Sequence, residues 1–333
     1  MTTYRDAGVD IDRAESLARY IKEKVEKTFP GKLVTGFGGF ASGLDLTGYS
    51  NPVLFSSADG VGTKLKIAQE LGVHDTVGVD LVAMNVNDVL TTGAKPILFL
   101  DYIATGRIDL KVLKAVIDGI VRGCKEAGVV LAGGETAEMP GFYPEGVYDL
   151  AGFCVGVCEK DEIIDGSRIE PGDILIGLRS SGFHSNGYSL IRKVLKDKGV
   201  KLTDKVPFGD ITVGEVLLRP TRIYVKHVFK VKAYVKGMAH ITGGGIPGNL
   251  VRILPDGVRA VVEKASLPEE PVFRWIADLG NIPEEEMFRT FNMGVGMILV
   301  VGDEEKDRVL SLLGEDAFVC GYTERGERGV SIV

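Results

Sequence analysis

Three stretches of this 333-residue sequence place a carboxylate at or near the end of an expected element. In the first, the apolar run Val53–Ala58 leads into Asp59-Gly60-Val61-Gly62-Thr63-Lys64, so a strand would end in a carboxylate, two glycines and a lysine. Glycine amides can cradle phosphate oxygens and a lysine adds a point charge. A carboxylate there suits the Mg²⁺ that accompanies phosphates. The spacing of a Walker loop is absent, and the same residues would also make a tight turn with a solvated lysine. In the second stretch, Asp88 interrupts the apolar pattern of Val79, Leu81, Val82 and Met84. Buried, it needs a partner or a metal; turned outward, it sits on a polar side with Asn85 and Asn87. In the third, Val129-Val130-Leu131 runs into Gly133-Gly134-Glu135. Together Asp59, Asp88 and Glu135 suggest carboxylates converging on metal-bridged nucleotide phosphates.

Two further glycine loops contain histidine. Ser180-Ser181-Gly182-Phe183-His184-Ser185-Asn186-Gly187 joins a strand to a helix, and such amides form a ready anion site. His240 precedes Thr242-Gly243-Gly244-Gly245, which opens another helix. A histidine in either loop is a candidate acid or base or a structural residue. His74 and His227, on helix-like segments, read as structural.

These loops must be held by a large scaffold. The length suggests two domains and a core that needs no staples. A net charge of -7 argues against a nucleic-acid binder. The four cysteines form no Cys-x-x-Cys pair, so they read as buried apolar thiols rather than a zinc site. The N-terminus has no apolar signal core, and no run is long enough to span a membrane; the expected setting is cytoplasmic.

Spacing predicts helices over 12–29 (capped by Asp10 or Asp12), 78–92 and 109–127, and strands over 53–58, 97–103, 129–131 and 148–158. The turn-rich stretch Gly166–Asp173 reads as a link. After it come a strand at 173–178, a helix at 187–198, a long helix near 220–235, a strand before His240 and a helix from about 246. A strand at 258–263, helices at 271–280 and 303–313, and strands at 295–301 and 317–322 complete the chain. Strands and helices mix without strict alternation, which favours two α+β domains, 1–166 and 167–333.

The four clusters, with the opening Tyr4–Asp12, Gly93-Ala94-Lys95-Pro96, Gly133–Pro140, Thr221–Lys226 and Arg289-Thr290-Phe291-Asn292, resemble the phosphoribosylformylglycinamidine cyclo-ligase (aminoimidazole ribonucleotide synthetase) family nearly end to end. The resemblance implies ATP-dependent closure of the imidazole ring in purine biosynthesis, with ATP and Mg²⁺. It also implies a homodimer whose N-terminal sheets pair into a barrel, with a C-terminal α/β domain completing the site. It assigns Mg²⁺ to Asp59, Asp88 and Glu135, and ATP to Gly60, Gly62, Thr63, Lys64, Glu135 and Thr136. Lys64, His184 and His240 become catalytic candidates. Ser185, Asn186, Gly243, Gly244 and Gly245 become contacts to the substrate's ribose phosphate or the nucleotide. Asp80 reads as structural. The alternatives are another phosphotransferase of the superfamily, similar to thiamine-monophosphate kinase, or a nucleotide-binding regulator without turnover.

Overall fold

The computed structural model of the chain describes residues 7–34, 37–38 and 40–333. Tyr4, Arg5 and Asp6 of the opening segment lie outside the described residues. The chain forms two units, residues 1–89 with 95–160, and residues 90–94 with 161–333.

The first unit contains α1 (Ile11–Thr28), β1 (Pro52–Gly60), α2 (Lys64–Leu71), α3 (Asp75–Leu90), β2 (Lys95–Thr105), α4 (Leu110–Ala127), β3 (Val130–Glu138) and β4 (Tyr148–Glu159). The caps follow the sequence: Asp10 accepts from the Arg13 amide at the start of α1, and Asp109 does the same for Lys111 and Val112 at α4. The sheet order is β1-β4-β2-β3, with β2 and β3 parallel and the other pairs antiparallel. Helices α3 and α4 cross closely, because a Cβ on Gly119 would overlap the Asp75 carbonyl of α3. Nearly all of α3 from Val77 to Leu90 is buried, so it serves as the core of this unit.

One face of that sheet is open. Leu54, Ser56 and Ala58 of β1 and Phe153 of β4 are exposed on it, and Leu100 of β2 shares the row of Ala58 and Phe153.

The second unit contains β5 (Ile174–Arg179), α5 (Tyr188–Lys198), α6 (Val213–Leu217), α7 (Val225–Val231), β6 (Val235–His240), α8 (Gly245–Leu250), β7 (Val258–Val262), α9 (Pro271–Gly280), α10 (Glu284–Thr290), β8 (Val295–Val301), α11 (Lys306–Leu313), β9 (Ala317–Arg325) and β10 (Gly329–Ile332). Its sheet order is β10-β7-β9-β5-β8-β6, antiparallel except for β7–β10. Strand β8 is buried along its whole length, as a central strand covered on both faces should be. Its core includes Leu175, Ile241, Ile246, Leu250, Ile298 and Val300. All four cysteines are free and buried, as expected.

Two expectations need correction. The long helix near 220–235 is only the short α7, because residues 219–224 form neither helix nor strand. There the Tyr224 hydroxyl donates to the Arg179 carbonyl over 2.9 Å, and Arg222 pairs with Asp316. The stretch Gly166–Asp173, read as a link, is bonded into the second unit; Thr323 Oγ1 donates to the Glu170 carbonyl over 2.6 Å.

Candidate functional site

In the first unit, Asp59 stands at the end of β1 beside α3. Its amide donates to Asn85 Oδ1 over 2.9 Å, and Asn85 Nδ2 returns a bond of 3.2 Å to the Asp59 carbonyl. Asp88 lies three residues further along α3, and Ser57 Oγ donates to its Oδ2 over 3.3 Å. Asp88 is half-buried in an otherwise buried stretch of α3, between the two alternatives the sequence left open. Asp59 and Asp88 thus lie on adjoining elements. The Gly60 amide turns inward onto Asp59 Oδ1 at 2.7 Å, so it does not point to a ligand. Gly62 and Thr63 are exposed just ahead of α2.

Glu135 is not brought to this pair. It lies on β3, at the opposite edge of the sheet from β1, with β4 and β2 between them. Three interstrand steps make that separation about 14 Å. Among the described residues no three acidic, histidine or cysteine side chains gather closely enough to hold a metal ion. Within one chain, then, Glu135 stands apart from Asp59 and Asp88. Glu135 is exposed and Thr136 half-buried.

Lys64 is not the solvated lysine that a tight turn would leave. It is fully buried, and its ammonium lies 2.9 and 2.8 Å from the two carboxylate oxygens of Asp80, itself fully buried on α3. Burial lowers its pKa, and Asp80 opposes that shift. Within this chain Lys64 ties α2 to α3 and offers no charge to a phosphate.

One acid was missed. Asp101, inside the apolar run read as a strand at 97–103, is buried on β2. Register puts Asp59, Gly152, Asp101 and Gly134 in one row across the sheet, and a Cβ on Gly134 would collide with the Asp101 carboxyl. Burial pushes its pKa up from 3.8 to about 7, with Glu135 adding to the rise. An acid amid a strand of Ile, Leu and Phe was the available signal.

The folded chain therefore holds the Asp101 proton more tightly than the unfolded chain. Its contribution to stability is fully present below pH 3.8, falls as pH rises, and levels off above about 7. Across that window the loss is at most on the order of 4 kcal/mol. Asp101→Asn is expected to flatten this slope, read as urea midpoints between pH 5 and 8. An unchanged slope would contradict the buried-acid account.

In the second unit, the loop before α5 meets the loop before α8: the Asn186 side chain faces Gly243, 3.7 Å from where a Cβ would stand. Ser185 Oγ lies 3.0 Å from Thr221 Oγ1, and Asn186 Nδ2 is buried without a hydrogen-bond partner among the described residues. Two of the expected substrate contacts, Asn186 and Gly243, are thus brought together, with Ser185 next to Asn186. His184 is 1% exposed and its Nε2 accepts the Ser181 amide at 3.1 Å, so the neutral ring carries its proton on Nδ1. It shapes the loop, in a left-handed backbone conformation (φ 59°) unusual for histidine, and does not face solvent as an acid or base. His240 ends β6 and is 5% exposed.

Asn292 locks this region, and sequence reasoning gave it no role. Buried, it accepts from Ser180 Oγ (3.0 Å) and the Gly294 amide (2.9 Å), and donates to the Gly182 carbonyl (2.8 Å). Phe291 packs where a Cβ on Gly187 would be, and a Cβ on Gly245 would overlap the Phe288 carbonyl. The segment 288–292 therefore braces both glycine loops at once.

Comparison with known proteins matches residues 46–158 to the N-terminal domain and residues 170–333 to the C-terminal domain of AIR synthase related proteins. A phosphoribosylformylglycinamidine cyclo-ligase of Caldanaerobacter subterraneus subsp. tengcongensis is 54% identical over 332 residues, covering 98% of this chain and 99% of the relative. Its counterpart from Myxococcus xanthus is 53% identical over 334 residues, covering 98% and 97%. Among solved structures, thiamine-monophosphate kinase from Stenotrophomonas maltophilia superposes with a TM-score of 0.70 at 18% identity, over 95% of each chain. A hydrogenase maturation protein HypE in complex with ATP gives 0.66 at 20% identity, over 94% of this chain and 90% of that one. At such identities these two likenesses speak for the fold alone.

Proposed function

The chain belongs to the phosphoribosylformylglycinamidine cyclo-ligase family, and on that premise we propose that it converts formylglycinamidine ribonucleotide and ATP into aminoimidazole ribonucleotide, ADP and phosphate. It is a C–N bond-forming ligase of purine biosynthesis. The observation that carries this reading is identity of 54% with a cyclo-ligase over 98% of this chain and 99% of the relative.

The formyl amide oxygen takes the γ-phosphoryl group and ADP leaves. The amidine nitrogen then attacks the activated carbon, and phosphate departs with the former formyl oxygen. The protein must neutralise phosphate charge and hold two groups of one substrate together. In our reading the amides of Gly62 and Thr63, ahead of α2, receive the ATP phosphates. Asp59 and Asp88 would hold Mg²⁺; two carboxylates suffice when phosphate oxygens and water complete the shell. Bound there, Mg²⁺ would supply charge neutralisation at the phosphates. Ser185, Asn186 and Gly243–Gly245 take the ribonucleotide. His240, just ahead of that second loop, remains the candidate proton carrier.

We further propose that a second copy covers the open sheet face of the first unit. The exposed Leu54 and Phe153 support this, as does the separation of Glu135 from Asp59, since a partner sheet can supply what one chain leaves apart. The expected mass in sedimentation is that of two chains, and Phe153→Asp is expected to give a folded monomer with less than about a tenth of the activity. A fully active monomer would contradict the proposal. No helix among the described residues is long and apolar enough to cross a membrane, which accords with a cytoplasmic enzyme.

The direct test mixes protein, Mg·ATP and formylglycinamidine ribonucleotide and follows phosphate and aminoimidazole product together. Equal amounts, dependent on substrate and Mg²⁺, are expected. ATP binding without turnover would discard the substrate, and thiamine monophosphate would be the next compound to try.

A further inference from the structure

In the segment Arg289-Thr290-Phe291-Asn292, three side chains are engaged within the protein. Asn292 and Phe291 brace the two glycine loops, and Thr290 Oγ1 donates to Glu286 Oε1 over 2.8 Å. Arg289 is exposed and makes no hydrogen bond or ion pair among the described residues. It lines a cleft of about 510 Å³ together with Gly244, Gly248, Lys264, Glu285 and Phe288. That is the size of a small-molecule site, and Gly244 belongs to the loop that meets Asn186.

We infer that Arg289 binds the phosphate of the ribonucleotide substrate in this cleft. The inference rests on the cyclo-ligase reading and gives one anchor to a substrate that reading leaves loosely placed. The charges of the cleft support it. Lys264 is engaged with Glu284 at 2.8 Å, which leaves Arg289 and Glu285, one helical turn apart, as its unengaged cation and carboxylate. A ligand bearing both a phosphate and a basic amidine complements that pair, whereas a nucleoside triphosphate, negative throughout, does not. A guanidinium also matches a phosphate with two parallel hydrogen bonds. The brace formed by Phe291 and Asn292 fixes the helix end from which Arg289 projects, so binding has to order the side chain but not the backbone that carries it.

The test is calorimetric titration of the full chain with ribose 5-phosphate and, separately, with Mg·ATP. Arg289→Ala is expected to weaken ribose 5-phosphate binding at least tenfold, as loss of a charge-assisted pair should. Arg289→Lys is expected to restore part of it, and Mg·ATP affinity to stay the same in all three proteins. An exposed side chain should leave the unfolding midpoint unchanged, and that is measured alongside. Equal binding by Arg289→Ala, no binding by the unaltered protein, or a parallel loss of Mg·ATP affinity would each overturn the inference. Turnover of formylglycinamidine ribonucleotide by the unaltered protein reports separately on the cyclo-ligase reading; if it is absent, the ribose 5-phosphate titrations still judge Arg289.

Discussion

Asp88→Asn is expected to lower turnover about a hundredfold or more while leaving the fold intact. Asparagine has the size and shape of the acid it replaces, and its amide oxygen can still accept from Ser57 Oγ, so the packing of α3 against β1 is kept. The negative charge is lost, and one acceptor oxygen becomes a donor. Asp88 is half-buried, so an uncharged group there costs nothing to hold. If the carboxylate serves a divalent cation at the phosphates, the activity of the variant should need far more Mg²⁺ to reach half-maximum, with urea midpoints unchanged. Full activity at ordinary Mg²⁺ would remove Asp88 from the metal site. A large loss of stability would instead make it a structural acid.

Lys64→Met is expected to destabilise the protein by about 3–5 kcal/mol, because it leaves the Asp80 carboxylate buried without its counter-ion. The pair ties α2 to α3, so the loss should appear as a lower urea midpoint with an unchanged slope. Lys64→Met combined with Asp80→Leu should recover most of it, since replacing both partners of a buried pair by apolar groups is often neutral. If Lys64 worked instead as a phosphate contact, the single variant would stay stable and lose ATP affinity, and the second substitution would not help.

The two predictions separate what could be read in the sequence from what could not. The caps at Asp10 and Asp109 and the apolar faces of α1 and α4 are local signals, and the elements formed where they pointed. Asp59 at a strand end and Asp88 within a buried helix were visible for the same reason. Lys64 was misjudged because its partner is 16 residues away, on another helix, and only the packing of α2 on α3 brings them together. Glu135 was expected beside Asp59 because three similar motifs suggested one site. The order β1-β4-β2-β3, which no local pattern encodes, puts their strands at opposite edges. Residues 133–138 look like a loop, but they continue β3; Gly134 is needed there because the Asp101 carboxyl of β2 fills the space of its side chain. Asn292 escaped notice because its hydrogen bonds span about a third of the chain, 110 residues to Gly182.

The central claim is that this enzyme activates the formyl oxygen of its substrate by phosphorylation before closing the ring. Substrate labelled with ¹⁸O at the formyl group tests it most directly. Activation by phosphoryl transfer predicts one ¹⁸O in each phosphate released, matched to the aminoimidazole formed. Phosphate without label, with ¹⁸O found in water, would mean that the oxygen leaves by dehydration and that ATP is spent on another step.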